Sequence, residues 1–418
     1  MRGGNGNAAR RVLQSFGYDL AMPPVAAHAP GAMSRRARFR GYMARMAAAA
    51  DPTLAIEQQM YVPPPRALAE VLVRHLEIEP AGRHLVVGGI GSGKTTQLLL
   101  ATQALNSMPD MCAAYIDVSR KRDLVKLKPG CLVALAGLAL LEHLPTAPEG
   151  GKGFASWANG YACEPWELEY DDGQFVTVDG VVTPPEPAWP EIDAHWVQQL
   201  SFFAEQLHRN GRSFVALFDS LDRSSNREGF AQLVEQDIAA LHRCQIGVVL
   251  IGPIRSLEGF GRLEVDRFDR LHMQAPVDIE RDPAGREFLF RVLRARAEES
   301  LLPDAAVHAC VAASGGVLRD LISIARAAGD ETYLAGADQI APDHVAAAVD
   351  DFGRSMMVGL RPTDIATLKH LRGGGGFVWT SDDDVTLVAT RRILHYPGPP
   401  ARYQVHPAIA SLLDQKAS

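Results

Sequence analysis

The run GGIGSGKT, which begins at Gly88, combines glycines with an adjacent lysine and hydroxyl residue. Gly88, Gly91 and Gly93 would let the backbone wrap an anion without Cβ clashes, and a following helix would add the partial charge of its N–H groups. Lys94 would place a cation near the β and γ phosphates, and the Thr95 hydroxyl would ligate Mg²⁺. The run fits G-x-x-x-x-G-K-[ST] in full and predicts a nucleotide site, the alternative being a Gly-rich turn with a surface lysine. The residues expected to contact the nucleotide are Gly88, Gly89, Ile90, Gly91, Ser92, Gly93, Lys94, Thr95 and Thr96.

A second feature is the apolar run SFVALFD, which ends in Asp219. A buried strand ending in a carboxylate could hold the water shell of a magnesium ion, and it would complete a Mg-phosphate site with Thr95. Apolar strands also end in aspartate for another reason, because the side chain can cap the next turn. The presence of the glycine-rich run favours the metal-binding interpretation.

Strands and helices alternate around both features, which predicts the scaffold that positions them. Apolar strands separated by helices are typical of a parallel sheet with helices on both faces, and the predicted fold class is α/β. The strands are expected at 84–89, 113–119, 213–219, 246–251 and 271–275.

After about residue 280 the pattern becomes entirely helical, which predicts a small helical lid. From Arg361 it changes again to a helix, the breaker GGGG, a helix near 382–391 and two short strands around a Pro-Gly turn. Helices followed by a hairpin suggest a winged-helix domain. The predicted domains are a flexible basic arm at 1–58, an α/β core at 59–278 with an insertion at 146–192, a helical lid at 279–356 and a winged helix at 357–418.

Composition bounds the class of protein. The chain has 418 residues, 47% of them hydrophobic and 22% charged, and a net charge of −7, which suits a soluble globular protein and does not favour one that coats nucleic acid. The longest apolar run, at 131–141, is too short to span a membrane. Five scattered cysteines without a C-x-x-C pair suit reduced thiols, and we expect a cytoplasmic protein. The arm is basic, with eight arginines against three acids in residues 1–60, and is expected to be solvated, with a transit peptide or a nucleic-acid or protein contact as alternatives.

Four segments together resemble the AAA+ and STAND branch of P-loop ATPases, including defence-type and origin-recognition-type members. They are GGIGSGKTT, LFDSLDR, SGGVLRDLISIARAA and RRILHYPGPPARYQVHP, and the resemblance covers roughly residues 60–418. It implies an ASCE/AAA+-like core that binds ATP or ADP with Mg²⁺, held by Lys94, Thr95 and Asp219. It also implies that Arg319 reaches the γ phosphate from the lid. A cation in the first turn of a helix opposes the helix dipole, which an anionic ligand would offset, although a solvated arginine is the alternative.

Ser220 departs from the family pattern, which has a second acid after the strand. A hydroxyl cannot act as a general base near neutral pH, so we expect Asp219 and Ser220 to support slow turnover and Ser220→Glu to raise the rate. Asp222 could orient a water molecule instead, but we expect it to cap the next helix.

The resemblance assigns weaker roles to four more residues. Arg255 follows the strand IGVVLIGP and would read the γ phosphate, or would be an ordinary loop arginine. Arg267 or Arg270 would be an arginine finger if the protein forms a homo-oligomer, with a surface ion pair as the preferred alternative. His406 would contact ADP, although a packed core histidine is the favoured interpretation.

Three functions fit these features. The first is a slowly hydrolysing switch ATPase that acts through a partner protein, and the family resemblance points to antiphage defence. The second is an ATPase that binds DNA through its winged helix, against which the acidic run Asp382–Asp384 argues by phosphate repulsion. The third is a pseudo-ATPase scaffold that only holds nucleotide.

Overall fold

The computed structural model describes five stretches of the chain, residues 34–48, 51–163, 192–224, 226–257 and 265–414. Internal packing distinguishes two units, Met1–Gly41 and Tyr42–Ser418. The described part of the first unit, from Ser34, is the start of helix α1 (Arg35–Ala48). The features that follow belong to the second unit.

A five-stranded parallel sheet forms the centre of the second unit, in the order β2-β3-β4-β1-β5. Because parallel strands end at the same edge, the loops that follow β1 and β3 lie close together. The strands are β1 (Arg83–Val87), β2 (Met111–Asp117), β3 (Ser213–Asp219), β4 (Gly247–Ile251) and β5 (Arg270–Met273).

Helices cover both faces of this sheet. Alternate residues of β3 show the arrangement, because Phe214 and Phe218 pack on one face while Val215 and Leu217 pack on the other. On the Val215 face lie α3 (Leu68–Ile78) and α4 (Lys94–Asn106), preceded in the chain by α2 (Pro52–Glu57). The helices of the other face are α5 (Cys131–His143), α6 (Gly151–Ala162), α7 (Ala194–Arg209), α8 (Arg227–Leu233) and α9 (Ala239–Arg243). A parallel sheet covered on both faces confirms the predicted α/β class.

Four helices follow β5 in the segment predicted to be helical, and we call them the helical segment. They are α10 (Pro283–Arg294), α11 (Asp304–Ala313), α12 (Leu318–Leu334) and α13 (Pro342–Met357). The C-terminal segment then contains α14 (Pro362–Arg372), α15 (Asp382–Ala389), an antiparallel hairpin of β6 (Ile393–Tyr396) and β7 (Arg402–Val405), and α16 (Pro407–Ala410). This is the order of elements from which a winged helix was predicted.

Two regions differ from their description in the sequence analysis. Part of the predicted flexible arm is helical, and Tyr42 and Met46 of α1 are fully buried; the Tyr42 hydroxyl donates to the Ala325 carbonyl at 2.6 Å. Part of the predicted insertion is helix α6, whose Phe154 is buried in the core beside α5. The remainder of each region, 1–33, 49–50 and 164–191, lies outside the described residues.

All five cysteines are unpaired thiols, and four of them are buried. Among the described residues, no helix is both long enough and apolar enough to cross a bilayer.

Candidate functional site

The loop between β1 and α4 has the conformation that its glycines permit. Gly91 and Gly93 adopt φ values of +83° and +92°, in the left-handed region where a side chain would be strained. Gly93 is the N-cap of α4, and glycine has no side chain with which to cap the first N–H groups of a helix. The loop therefore leads into a helix N-terminus suited to an anion.

Lys94, the first residue of α4, is buried and already bound by three oxygens. Its Nζ donates to the carbonyl oxygens of Gly88 at 2.8 Å and Gly89 at 3.0 Å. The third partner is Asp222 Oδ2, which forms an ion pair at 3.0 Å. An ammonium group has three donors, so a phosphate can bind Lys94 closely only by taking the place of one of these partners.

Asp222 was expected to cap the helix after β3, and that expectation is wrong. Helix α8 is capped by Asn226, whose Oδ1 accepts from the Gly229 N–H at 2.9 Å. Asp222 instead lies in the turn Leu221–Arg223 and faces Lys94. It is the carboxylate nearest to the lysine of the loop.

Asp219 lies at the end of β3, as predicted, and both of its oxygens accept hydrogen bonds. The Tyr115 hydroxyl donates to Oδ2 at 2.7 Å, and the Ser220 N–H donates to Oδ1 at 2.6 Å. Burial, and then the charge of Asp219, raises the pKa of Tyr115, so the tyrosine remains a donor. The carboxylate is thereby held in one orientation at the edge of the cavity described below.

Ser220 does not present its hydroxyl to Lys94. It adopts a φ of +73°, and its Oγ donates to Asp117 Oδ1 at the end of β2, at 2.7 Å. Although burial works in the opposite direction, hydrogen bonds from Ser119 and Ser220 lower the pKa of Asp117. Ser220 thus links the ends of two neighbouring strands.

A cavity of about 1160 Å³ lies over these groups. Residues 90–97 line it together with Asp219, Asp222 and the start of α12, while Ser220, Arg255 and His406 are not among its lining residues. Tyr61 and the turn between β6 and β7 complete the wall. Five arginines also line it, Arg66, Arg223, Arg281, Arg296 and Arg319.

Arg319 packs directly on the loop. Its N–H donates to the Gly91 carbonyl at 3.2 Å, and a Cβ on Gly91 would lie 2.4 Å from the Arg319 Cβ. Burial, and then the positive charges of Arg391 and Arg223, lowers the pKa of Arg319. A guanidinium among other cations is an environment that a polyanion would improve.

The C-terminal segment contributes contacts that sequence reasoning missed. Arg391 forms a two-pronged ion pair with buried Asp320 of α12, with Nε–Oδ2 and Nη2–Oδ1 distances of 2.8 and 3.0 Å. Its Nη1 also donates to the Ile90 carbonyl of the loop at 3.3 Å. These residues lie 71 and 301 positions from Arg391, and no local spacing signals the pairing.

The remaining predicted residues lie away from the cavity. His406 is fully buried, with Nε2 3.3 Å from Asp320 Oδ2 and Nδ1 accepting from the Ala408 N–H. Arg255 donates to the Ser224 carbonyl. Arg267 forms a surface pair with Glu235 at 2.9 Å, and Arg270 is exposed on β5.

The parallel sheet, the loop from Gly88 to Thr95 with Lys94 at a helix start, and the strand ending in Asp219 define a P-loop α/β fold. Among solved structures the chain is similar to Aeropyrum pernix ORC2 in ADPNP-ADP complexes, with 13% identity, a TM-score of 0.46 and coverage of 84% of this chain and 93% of that one. It is also similar to Aeropyrum pernix ORC1 in complex with DNA, with 16% identity, a TM-score of 0.43 and coverage of 88% and 95%. A third similar structure is the Holliday junction branch migration motor RuvB of Thermotoga maritima, with 14% identity, a TM-score of 0.41 and coverage of 84% of this chain and 93% of that one.

No protein-family model matches the chain, and no curated protein sequence does. At the identities and TM-scores of the structural neighbours, what this chain binds has to be inferred from its own residues.

Proposed function

We propose that the protein is a magnesium-dependent ATP switch that binds nucleotide in this cavity and hydrolyses it slowly. The observation that carries the proposal is the Lys94–Asp222 ion pair, in which Lys94 is buried at a helix N-terminus, in a cavity that five arginines also line. A triphosphate supplies the negative charge that these arginines and the helix N-terminus favour. It would also compete with Asp222 for the Lys94 ammonium.

The residues present also fit a magnesium ion. Mg²⁺ prefers oxygen ligands and keeps several water molecules, and Thr95 and Asp219 both line the cavity with oxygen-bearing side chains. They would hold the ion, which would neutralise charge on the β and γ phosphates. Tyr115 and the Ser220 N–H fix the Asp219 carboxylate for this role.

Slow turnover follows from the partners of Ser220 and Asp222, the two residues after β3 that could act on the attacking water. Ser220 binds Asp117 and cannot act as a base, so Asp222 is the carboxylate that we assign to orienting the attacking water. Asp222 is available for that role only after the phosphate has displaced it from Lys94. Binding and activation of the base are therefore coupled through one ammonium group.

The switch would operate through the C-terminal segment. The cavity wall includes Arg319 of α12 and Tyr396 of β6, and Arg391 connects Asp320 with the loop at Ile90. Nucleotide that contacts these groups more favourably in one arrangement than in another would shift the balance between arrangements. We infer that a partner protein reads this change, and antiphage defence is the setting in which we would first look for that partner.

The first test is equilibrium binding of ATP in Mg²⁺, with steady-state hydrolysis measured in the same buffer. Lys94→Ala should weaken binding roughly 100-fold, because it removes a charge-assisted contact to phosphate. Lys152→Ala is the matched control, since Lys152 is an exposed lysine of α6. Equal affinity of wild type and Lys94→Ala, or no ATP binding by wild type, would refute the proposal.

DNA binding by the C-terminal segment is the less favoured function. The first turn of α15 carries Asp382, Asp383 and Asp384, which would repel DNA phosphates. Asp383 already pairs with Arg361 at 2.8 Å.

A further inference from the structure

Three histidines from three different elements meet at the α3 side of the sheet. His75 lies on α3, His84 at the start of β1 and His272 on the neighbouring edge strand β5. One ring nitrogen of each lies within 4.8 Å of the corresponding nitrogens of the other two. The closest pair is His84 Nδ1 and His272 Nε2, at 3.0 Å.

Hydrogen bonds satisfy the ring nitrogens of this histidine cluster only in part. His84 is fully buried, and its Nε2 has no hydrogen-bond partner; the same is true of the buried Nδ1 of His75. Buried polar groups of folded proteins nearly always have partners. His75 therefore has a ring nitrogen that no protein group satisfies, while the His84 nitrogen that faces His272 is Nδ1 and not the unpaired Nε2.

We propose that His75, His84 and His272 bind one divalent transition-metal ion of the zinc type. Zinc–nitrogen bonds of about 2.0–2.1 Å in tetrahedral geometry place ligand nitrogens roughly 3.3 Å apart. The nitrogens of His84 and His272 need to separate by only a few tenths of an ångström to reach that value. His75 would close the remaining distance, and a water molecule would take the fourth position.

The site has an entry path and a structural consequence. His75 and His272 are partly exposed, so an ion can reach the cluster from solvent. The ion would connect α3, β1 and β5, and β5 continues into Gln274, which donates to the Ser92 carbonyl of the glycine-rich loop at 3.3 Å. Metal binding would therefore stabilise the scaffold below the loop without contributing to the nucleotide cavity.

The test uses full-length protein stripped with EDTA and titrated with Co²⁺, followed by competition with Zn²⁺. We expect one equivalent of Co²⁺ with a visible absorption band of a tetrahedral site, displacement by Zn²⁺, and a higher melting temperature with either ion. His75→Ala and His84→Gln should each abolish the band. His143→Ala is the matched control, because His143 is a partly buried helix histidine outside the cluster, and it should leave the band unchanged.

Far-UV circular dichroism establishes that each variant is folded. His75 is only partly buried, so His75→Ala should disturb folding less than His84→Gln. Absence of the band in wild type, its persistence in both cluster variants, or an equal loss in His143→Ala would overturn the proposal. The readout does not depend on ATP, so failure here leaves the proposed nucleotide site untouched.

Discussion

The two sides of the glycine-rich loop hold their charged groups in different ways. On the sheet side, Lys94 is shared among Gly88, Gly89 and Asp222. On the C-terminal side, Asp320 is held by a two-pronged pair with Arg391 and lies beside His406.

This difference in partners indicates which charged groups a bound nucleotide would rearrange. A phosphate competes directly for the Lys94 ammonium, because all three of its donors are already in use. The Asp320–Arg391 pair ties the C-terminal segment to α12, and Arg391 Nη1 also donates to the Ile90 carbonyl of the loop. We therefore assign ATP binding and hydrolysis to the groups around Lys94. We assign to Arg391 and Asp320 the coupling between the nucleotide site and the C-terminal segment.

The largest effect is expected on the sheet side, from Asp219→Asn. Loss of the carboxylate charge should reduce ATP turnover by about 100-fold or more, because the magnesium ion and its water shell lose the negative charge that would hold them. A magnesium titration of the hydrolysis rate measures this. Tyr115→Phe removes only the hydrogen bond to Asp219 and should cost less than tenfold; a larger loss than that of Asp219→Asn would contradict the assignment.

On the C-terminal side, Arg391→Ala should affect ATP turnover less than Asp219→Asn does. Its main effect should be on the stability of the fold. The variant leaves the Asp320 carboxylate buried and without its cation, which should lower the free energy of unfolding by about 3 kcal/mol. Urea unfolding measures that change, and hydrogen exchange with and without ATP should show that the C-terminal segment no longer responds. Arg391→Lys retains the charge without the two-pronged geometry and should fall between wild type and Arg391→Ala. An unchanged ATP response in Arg391→Ala would remove the coupling role.

The smallest effect on turnover is expected from Ser220→Glu. Sequence alone predicts a raised rate, but the buried Ser220 side chain faces Asp117, so a glutamate there would place a second carboxylate beside Asp117. The contact with Asp117 predicts a loss of about 1–3 kcal/mol in stability and no increase in hydrolysis. Ser220→Ala, which loses only the hydrogen bond, is the comparison; a rate rising several-fold in Ser220→Glu would restore the original expectation.

Sequence reasoning succeeded where the determining residues are consecutive. Eight adjacent residues specify the loop, and the alternation of Phe214, Val215 and their neighbours specifies a strand buried on both faces. It was wrong about Asp222 as a helix cap, and it did not anticipate the hydrogen bond from Ser220 to Asp117, because the partner lies on another strand. It also missed Asp320–Arg391 and the histidine cluster, since tertiary packing joins residues far apart in the chain.

Helix α6 was missed for a related reason. Phe154, Ala158 and Tyr161 are buried at helical spacing, but glycines and small residues separate them and weaken the periodic signal. Packing against α5 and α7 stabilises helix α6, and this packing cannot be read from the sequence of α6 itself.

The central claim is that Asp222 and nucleotide phosphate compete for Lys94. The direct measurement is the ATP dissociation constant, with hydrolysis under the same conditions, for wild type, Asp222→Asn and the exposed control Asp343→Asn. Removing the competing carboxylate should tighten binding roughly tenfold and reduce hydrolysis about 100-fold, while Asp343→Asn matches wild type. Weaker ATP binding by Asp222→Asn, or undiminished hydrolysis, would contradict the account.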